Sequence, residues 1–233
     1  MFRSRVVTML REMPQVRRLE YAKIRRRCQE IDRHFLSASR SIMHVGANYG
    51  QERFLYEAFG ASVLWIEALP EVFLSLKRNL IGFRNQSALR ALVSDKAGEH
   101  VQFKVASNSG ASSSMFDFAL HQELWPEVKM QTTISLETQT IDDLVEPSRD
   151  VDALVLDVQG AELKVLQGAR KRLHSIRFIK AEVADFNAYQ GGCTEMELIP
   201  FLTEAGFAER ERDVFADMAG TGRYSDILFE RVG

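Results

Sequence analysis

Five short blocks of this 233-residue chain carry groups able to do chemistry, each where an apolar run gives out. Ser41 to Val45 ends in His44-Val45 and passes into Gly46-Ala47-Asn48-Tyr49-Gly50. Glycines there let the backbone turn sharply and approach a ligand, because no Cβ stands in the way. Leu64-Trp65-Ile66 ends in Glu67-Ala68, and a carboxylate at that strand tip is suited to accept both hydroxyl protons of a ribose. Leu92-Val93 ends in Ser94-Asp95, where Asp95 reads either as an acceptor for an adenine amine or as an exposed turn acid. Asp157 follows Ala153 to Leu156, and Glu182 lies at the end of Phe178 to Val183. The Gly-x-x-x-Gly spacing fits neither the dinucleotide fingerprint nor the Walker pattern. With no seat for a pyrophosphate, loop and acid together favour S-adenosylmethionine over a nicotinamide dinucleotide. The dinucleotide, and a bare strand-to-helix turn, stay open as alternatives.

These blocks need a scaffold that brings successive strand ends to one edge. Short apolar runs at 41–45, 63–66, 88–93, 153–156 and 178–183 read as buried strands. Helical stretches around 51–59, 71–81, 162–173 and 195–205 separate most of them. Such alternation predicts an α/β fold, a mostly parallel sheet with helices on both faces, whose ligands sit beyond the carboxyl ends of the strands. His100 to Thr140 is different, because Val101-Gln102-Phe103-Lys104-Val105 alternates with period two, which predicts a strand-bearing excursion within the same domain. Phe207 to Phe215 and Tyr224 to Arg231, joined by a turn at Gly220 and Gly222, predict a closing antiparallel hairpin.

Ahead of this domain, Ile24, Cys28, Ile31 and Phe35 line one face of a predicted helix, with a shorter helix around Val6 and Leu10 before Pro14. Residues 1–40 hold eleven Lys and Arg against four Asp and Glu, a surplus of +7 in a chain of net charge −2. The expected organisation is therefore a basic helical extension over 1–40 and one catalytic domain over 41–233. The basic face reads as solvated, or as a contact for a membrane surface or a partner. The near-neutral whole carries no global field toward nucleic acid, so no nucleic-acid partner is expected. Cys28 and Cys193 lack metal or redox spacing, and no run is apolar and long enough to span a bilayer or act as a secretory signal. A cytoplasmic location is the expectation.

Taken in order, Val45 to Gly50, Glu67, Ser94-Asp95, Asp157-Val158-Gln159-Gly160-Ala161-Glu162 and Ala181-Glu182-Val183 resemble the FkbM family of methyltransferases. The resemblance runs from about Ser41 to Glu230. It implies a Rossmann-like methyltransferase sheet, S-adenosylmethionine as donor, and methylation of a hydroxyl on a sugar, glycan or polyketide-type natural product. Two departures stand out. His44 occupies a position where the family usually has Asp, and Gln159 one where it often has Glu. The site is thus less acidic than the family pattern, which argues against a metal, and the departures motivate a second reading as a non-catalytic binding module.

Methyl transfer is an in-line displacement that needs alignment of three atoms and removal of the acceptor's proton. Asp157 is the leading candidate for positioning the methionine ammonium, orienting the acceptor or acting as base, with Glu182 beside it and His121 as a further candidate. The cofactor would contact His44, Gly46, Ala47, Asn48, Gly50, Glu67, Ala68, Ser94, Asp95 and Asp157. The acceptor would meet Ser112 and Ser113 of the run Ser107 to Ser114, together with Glu162, Asn187 and Tyr189. Glu162 reads equally as a first-turn acid favoured by the helix dipole.

Overall fold

The computed structural model describes residues 14–146, 149–218 and 220–232. The helix expected around Val6 and Leu10 lies outside them. Strand β1 (Ser41–Val45) is the centre of the main sheet, with Ile42, Met43, His44 and Val45 all buried, the continuous pattern of a strand covered on both faces. Around it stand β2 (Ser62–Glu67), β3 (Gln86–Arg90), β7 (Ala153–Leu156), β8 (Phe178–Ala184), β9 (Phe207–Met218) and β10 (Gly222–Arg231). Their order is β3-β2-β1-β7-β8-β10-β9. Pairing is parallel from β3 through β8, and β10 pairs antiparallel with both β8 and β9.

The chain winds outward from β1 in both directions, so the strand order reverses between β1 and β7. Loops leaving the carboxyl ends of those two strands diverge there and open a crevice. Val45 pairs with Leu156, which sets Gly46 and Asp157 side by side at its mouth.

One face of the sheet packs Met43, Val45, Ile66, Leu154 and Ile179 against the helices Glu162–Gln167 and Glu195–Glu204. The other packs Ile42, Trp65, Val155 and Phe178 under Arg53–Phe59 and Pro70–Asn79 and against α2 (Glu30–Ala38). The amphipathic stripe is realised in part. Ile31 and Phe35 are buried, but the predicted single helix is broken at Cys28-Gln29 into α1 (Pro14–Arg27) and α2. Lys180 of β8 ties α2 to the sheet, contacting Asp32 and Asp226 at 2.9 Å each, with all three side chains largely buried. Lys23, Arg26 and Arg27 remain exposed.

Two other expectations shift. The run 88–93 divides, since β3 ends at Arg90 while β4 (Leu92–Val93) joins β5 (His100–Ala106) and β6 (Met130–Gln139) in a separate sheet of order β4-β6-β5. The helix expected over 162–173 stops at Gln167 and resumes at Arg170, and between them the chain runs so close to its neighbour that a Cβ at Gly168 would lie 2.1 Å from the Ser94 carbonyl oxygen. Glycine is required for that close approach. Among the described residues no helix is long and apolar enough to cross a membrane.

Candidate active site

The glycine loop is pinned before any ligand is considered. Gly46 and Ala47 both donate to the Ile66 carbonyl at 3.0 Å. Gly46 adopts φ +83°, and a Cβ there would sit 1.7 Å from the Asp157 carbonyl oxygen, so only glycine lets the two strand ends meet. Asn48 donates its backbone N–H to Glu67 Oε2 at 2.8 Å, and Leu69 donates to Glu67 Oε1 at 2.7 Å. Burial raises the Glu67 carboxyl above its usual range while these amides pull it back. Each oxygen keeps a lone pair for a further donor.

These groups line a cleft of about 790 Å³, open mouth included. Its apolar part is formed by Leu69, Leu92, Val93, Phe103 and Val158, and its polar end by Glu52, Asp157 and Gln159. Gly46, Ala47, Asn48 and Ala68 all lie on the wall. His44 reaches it too, but its ring stacks on Trp65 at 4.9 Å and shares a hydrogen bond of 3.0 Å with the Tyr56 hydroxyl. Burial, helped by Lys180, lowers His44 to about 3, so the ring is neutral. Glu52 is the carboxylate at this end. Its carboxyl is raised chiefly by burial, and no other side chain among the described residues bonds to it.

A second cavity of about 560 Å³, open mouth included, adjoins the first, and the two share Ala111, Asp157 and Gln159. At that junction the Gln159 amide bridges two acids, Nε2 donating to Asp157 Oδ1 at 2.6 Å and to Glu182 Oε1 at 3.0 Å. Tyr189 donates its hydroxyl to Gln159 Oε1, which fixes the amide's orientation. Gln159 holds a left-handed backbone, φ +52°, to do this. Burial raises Asp157 to about 7, against the pull of the Gln159 bond, with Glu162, Glu52 and Asp226 adding repulsion. Glu182 is raised well above its ordinary value, by burial first and Asp157 second. Two buried acids that accept from one amide titrate as a pair, and a carboxyl near 7 is matched to taking a proton from a hydroxyl.

His121 is buried, stacked on Phe118 at 4.4 Å, and its Nε2 meets Ser112 Oγ at 3.0 Å. Burial lowers it to about 4, leaving a neutral ring in the wall of the second cavity and a poor base. Ser112 lies in that wall as well. Ser113 lines the first cavity instead, its hydroxyl accepting from the Ala106 backbone at 2.9 Å.

Several of the expected site residues lie away from the two cavities. Ser94 and Asp95 line neither cavity, for Asp95 Oδ1 accepts from Lys164 at 2.9 Å and from the Ser94 hydroxyl at 2.9 Å. Glu162 Oε1 accepts the Val158 and Gly160 amides at 3.2 Å each, and Oε2 accepts from Cys193, so it braces the turn instead of facing an acceptor. Asn187 is exposed and outside both cavities. Tyr189 lines neither and acts through Gln159. Sequence reading missed Glu52, Trp125, Phe215 and Tyr224 as cavity residues. Of these Glu52, two residues after Gly50, had a nearby signal, while Asn108 lies in the run Ser107 to Ser114 already singled out.

An open sheet wound outward from β1, closed by an antiparallel β10 and carrying an acid-ended crevice at the switch point, is the Rossmann-like methyltransferase architecture. The chain belongs to the FkbM methyltransferase family, whose domain model matches residues 44–208. It is 27% identical over 160 residues to the 2-O-methyltransferase NoeI of Sinorhizobium fredii, a match covering 64% of this chain and 65% of that relative's length. Among solved structures it is similar to a precorrin-6y C5,15-methyltransferase from Geobacter metallireducens, at TM-score 0.47, 13% identity, 92% of this chain and 87% of the other. It is also similar to magnesium protoporphyrin IX methyltransferase from Synechocystis with bound SAM, at TM-score 0.48, 11% identity, 93% of this chain and 80% of the other.

Proposed function

We propose that this chain transfers a methyl group from S-adenosylmethionine to a hydroxyl of a sugar, glycan or related natural product. The observation that carries the reading is the meeting of two cavities at Asp157 and Gln159, so that a donor in one and an acceptor in the other face each other across a buried acid pair. The donor set fits the cofactor. Glu67 offers a lone pair on each oxygen for the ribose hydroxyls, Leu92 and Phe103 offer apolar surface for the adenine, and Glu52 offers a carboxylate for the methionine ammonium. When bound, the cofactor supplies an electrophilic methyl group on a sulfonium.

The chain's own residues do the rest. Gln159 holds Asp157 by Oδ1, and no bond from a described residue is made to Oδ2, which takes the acceptor's proton as its oxygen gains charge. Glu182 accepts the second hydrogen of the same amide, and burial together with Asp157 raises its carboxyl. Walls of the two cavities fix the line of approach, and such alignment supplies much of the acceleration in a displacement of this kind.

The departures that motivate a non-catalytic module acquire roles in this scheme. His44 is a neutral member of an aromatic layer, and Gln159 organises the acids. The test is calorimetry with S-adenosylhomocysteine, followed by a labelled-methyl screen over sugars and lysate glycans. Binding, together with transfer that Asp157→Ala lowers at least a hundredfold without loss of cofactor affinity beyond tenfold, supports the reading. Intact protein that takes up no S-adenosylhomocysteine refutes it.

A further inference from the structure

The helices Arg53–Phe59 and Pro70–Asn79 bury Tyr56, Ala58, Val72 and Leu76 against one face of the sheet, yet they leave other large apolar side chains in solvent. Ile81, in the turn after the second helix, is 80% exposed, Leu74 is 53% exposed and Phe54 43%. Leu74, Arg78 and Ile81 follow at spacings of four and three, which sets them along one side of the helix. The turn continues that side, its Ile81 amide donating to the Arg78 carbonyl at 3.2 Å. Phe83, two residues on, meets Phe54 edge-on with ring centroids 5.1 Å apart, so the apolar side chains form a ridge across both elements. A lone exposed apolar side chain is ordinary, whereas a contiguous set of them marks an interaction surface.

The charges along the ridge are cationic. Lys77 and Arg78 stand exposed on the helix, Arg84 is exposed next to Phe83, and the Arg53 guanidinium lies over the Phe54 ring at 4.7 Å. From Val72 to Ser94 the chain holds Lys77, Arg78, Arg84 and Arg90 and not one Asp or Glu. Among the described residues no ion pair engages Lys77, Arg78 or Arg84. Glu57 and Glu71 are the acids of the two helices, one each. Helix α1 packs on Arg53–Phe59, with Arg25 donating to the Ala58 carbonyl, and carries the exposed Lys23, Arg26 and Arg27.

Apolar ridge and free cations together discriminate among occupants. A second copy of this face would set like charges against each other. Nucleic acid would pair the cations but offer nothing to Leu74 and Ile81. An anionic bilayer meets both needs, since its headgroups attract Lys and Arg while apolar side chains enter the boundary with the acyl chains. We propose that Phe54, Leu74, Ile81 and Phe83, with Lys77, Arg78 and Arg84 around them, form a peripheral docking face for an anionic lipid bilayer.

The experiment sediments the full chain with sucrose-loaded vesicles, of phosphatidylcholine alone or with about 30% phosphatidylserine, and needs neither cofactor nor acceptor. Binding to the anionic vesicles is expected to be at least tenfold tighter than to the neutral ones, and to weaken at least fivefold from about 0.1 M to about 0.5 M salt. Leu74→Ser with Ile81→Ser should lower anionic-vesicle binding at least fivefold, and Arg78→Glu with Arg84→Glu at least tenfold. All four side chains are exposed, so melting and S-adenosylhomocysteine affinity should not change. Should either pair melt lower than the wild type, Ile81→Ser alone, at the most exposed of these positions, is expected to lower binding at least twofold. Equal or absent binding to the two vesicle types would overturn the proposal. So would intact variants that bind as the wild type does. A mixed-sequence RNA that binds more tightly than the anionic vesicles, and equally well to the Leu74→Ser, Ile81→Ser pair, would make this a nucleic-acid face instead and overturn it too.

Discussion

Replacing Gln159 with glycine isolates what one amide does to a proton. Gln159 donates to Asp157 at 2.6 Å and to Glu182 at 3.0 Å, from a backbone at φ +52° that glycine adopts without strain. A hydrogen bond to a charged group is worth about 1.5–3 kcal/mol, and one pKa unit corresponds to about 1.4 kcal/mol. Water entering the vacated space restores part of this, so the loss raises Asp157 by about one to two units from its value of about 7. At pH 7 its ionised fraction then falls from about one half to roughly 1–10%. The expected result is a kcat/KM about 5- to 50-fold lower at pH 7 but recovering above about pH 9, with the acid limb displaced alkaline. Labelled-methyl transfer to the best acceptor from pH 5.5 to 9.5 reads this directly. Stability gives a second readout needing no acceptor. Folded Asp157 holds its proton up to about 7, while the unfolded carboxyl releases it at its ordinary 3.8. The site's contribution is therefore full below about pH 4 and lost as pH rises to about 7, on the order of 4 kcal/mol in all, and in the variant the decline continues to about pH 8–9. A variant with the wild-type pH profile and only a lower plateau would refute the reasoning, since Gln159 would then hold shape without setting the proton.

Three further outcomes are expected. Gly46→Ala sets a methyl 1.7 Å from the Asp157 carbonyl at φ +83°, and should abolish the calorimetric signal of S-adenosylhomocysteine and lower the melting temperature. Glu52→Gln removes the carboxylate at the polar end of the first cavity, and should weaken S-adenosylhomocysteine about tenfold by calorimetry with no loss of melting temperature. Lys180→Met strands Asp32 and Asp226, at a cost of about 3–5 kcal/mol in urea unfolding, much of it recovered when both acids are also changed to Asn.

The donor half of the site was legible in the sequence because it is local. Gly46 to Gly50 and Glu67 terminate strands adjacent in both chain and sheet, and each needs its residue type for a reason visible in the string. Asp157 and Glu182 were legible for the same reason, through the apolar runs before them. The second cavity, proposed to seat the acceptor, was not. Trp125 and Tyr224 meet across about a hundred residues of chain, at ring centroids 5.4 Å apart, through a contact no spacing encodes. Asp95 stayed open between two readings because a strand-end acid looks the same whether it faces a ligand or, as here, Lys164. Gln159 was noticed only as a missing acid. Its function depends on a left-handed turn and on Tyr189, thirty positions away.

The two cavities touch only along Ala111, Asp157 and Gln159, and they are built from different stretches of chain. Strand ends of the parallel winding make most of the first, whereas the excursion, through Asn108 and Trp125, and the terminal hairpin, through Phe215 and Tyr224, make much of the second. On the proposed reading, substitutions in those two peripheral segments would alter what is methylated without disturbing what supplies the methyl. Selection therefore has a nearly separable variable to work on, and a lineage can change its chemistry's target by editing a rim while leaving its engine intact.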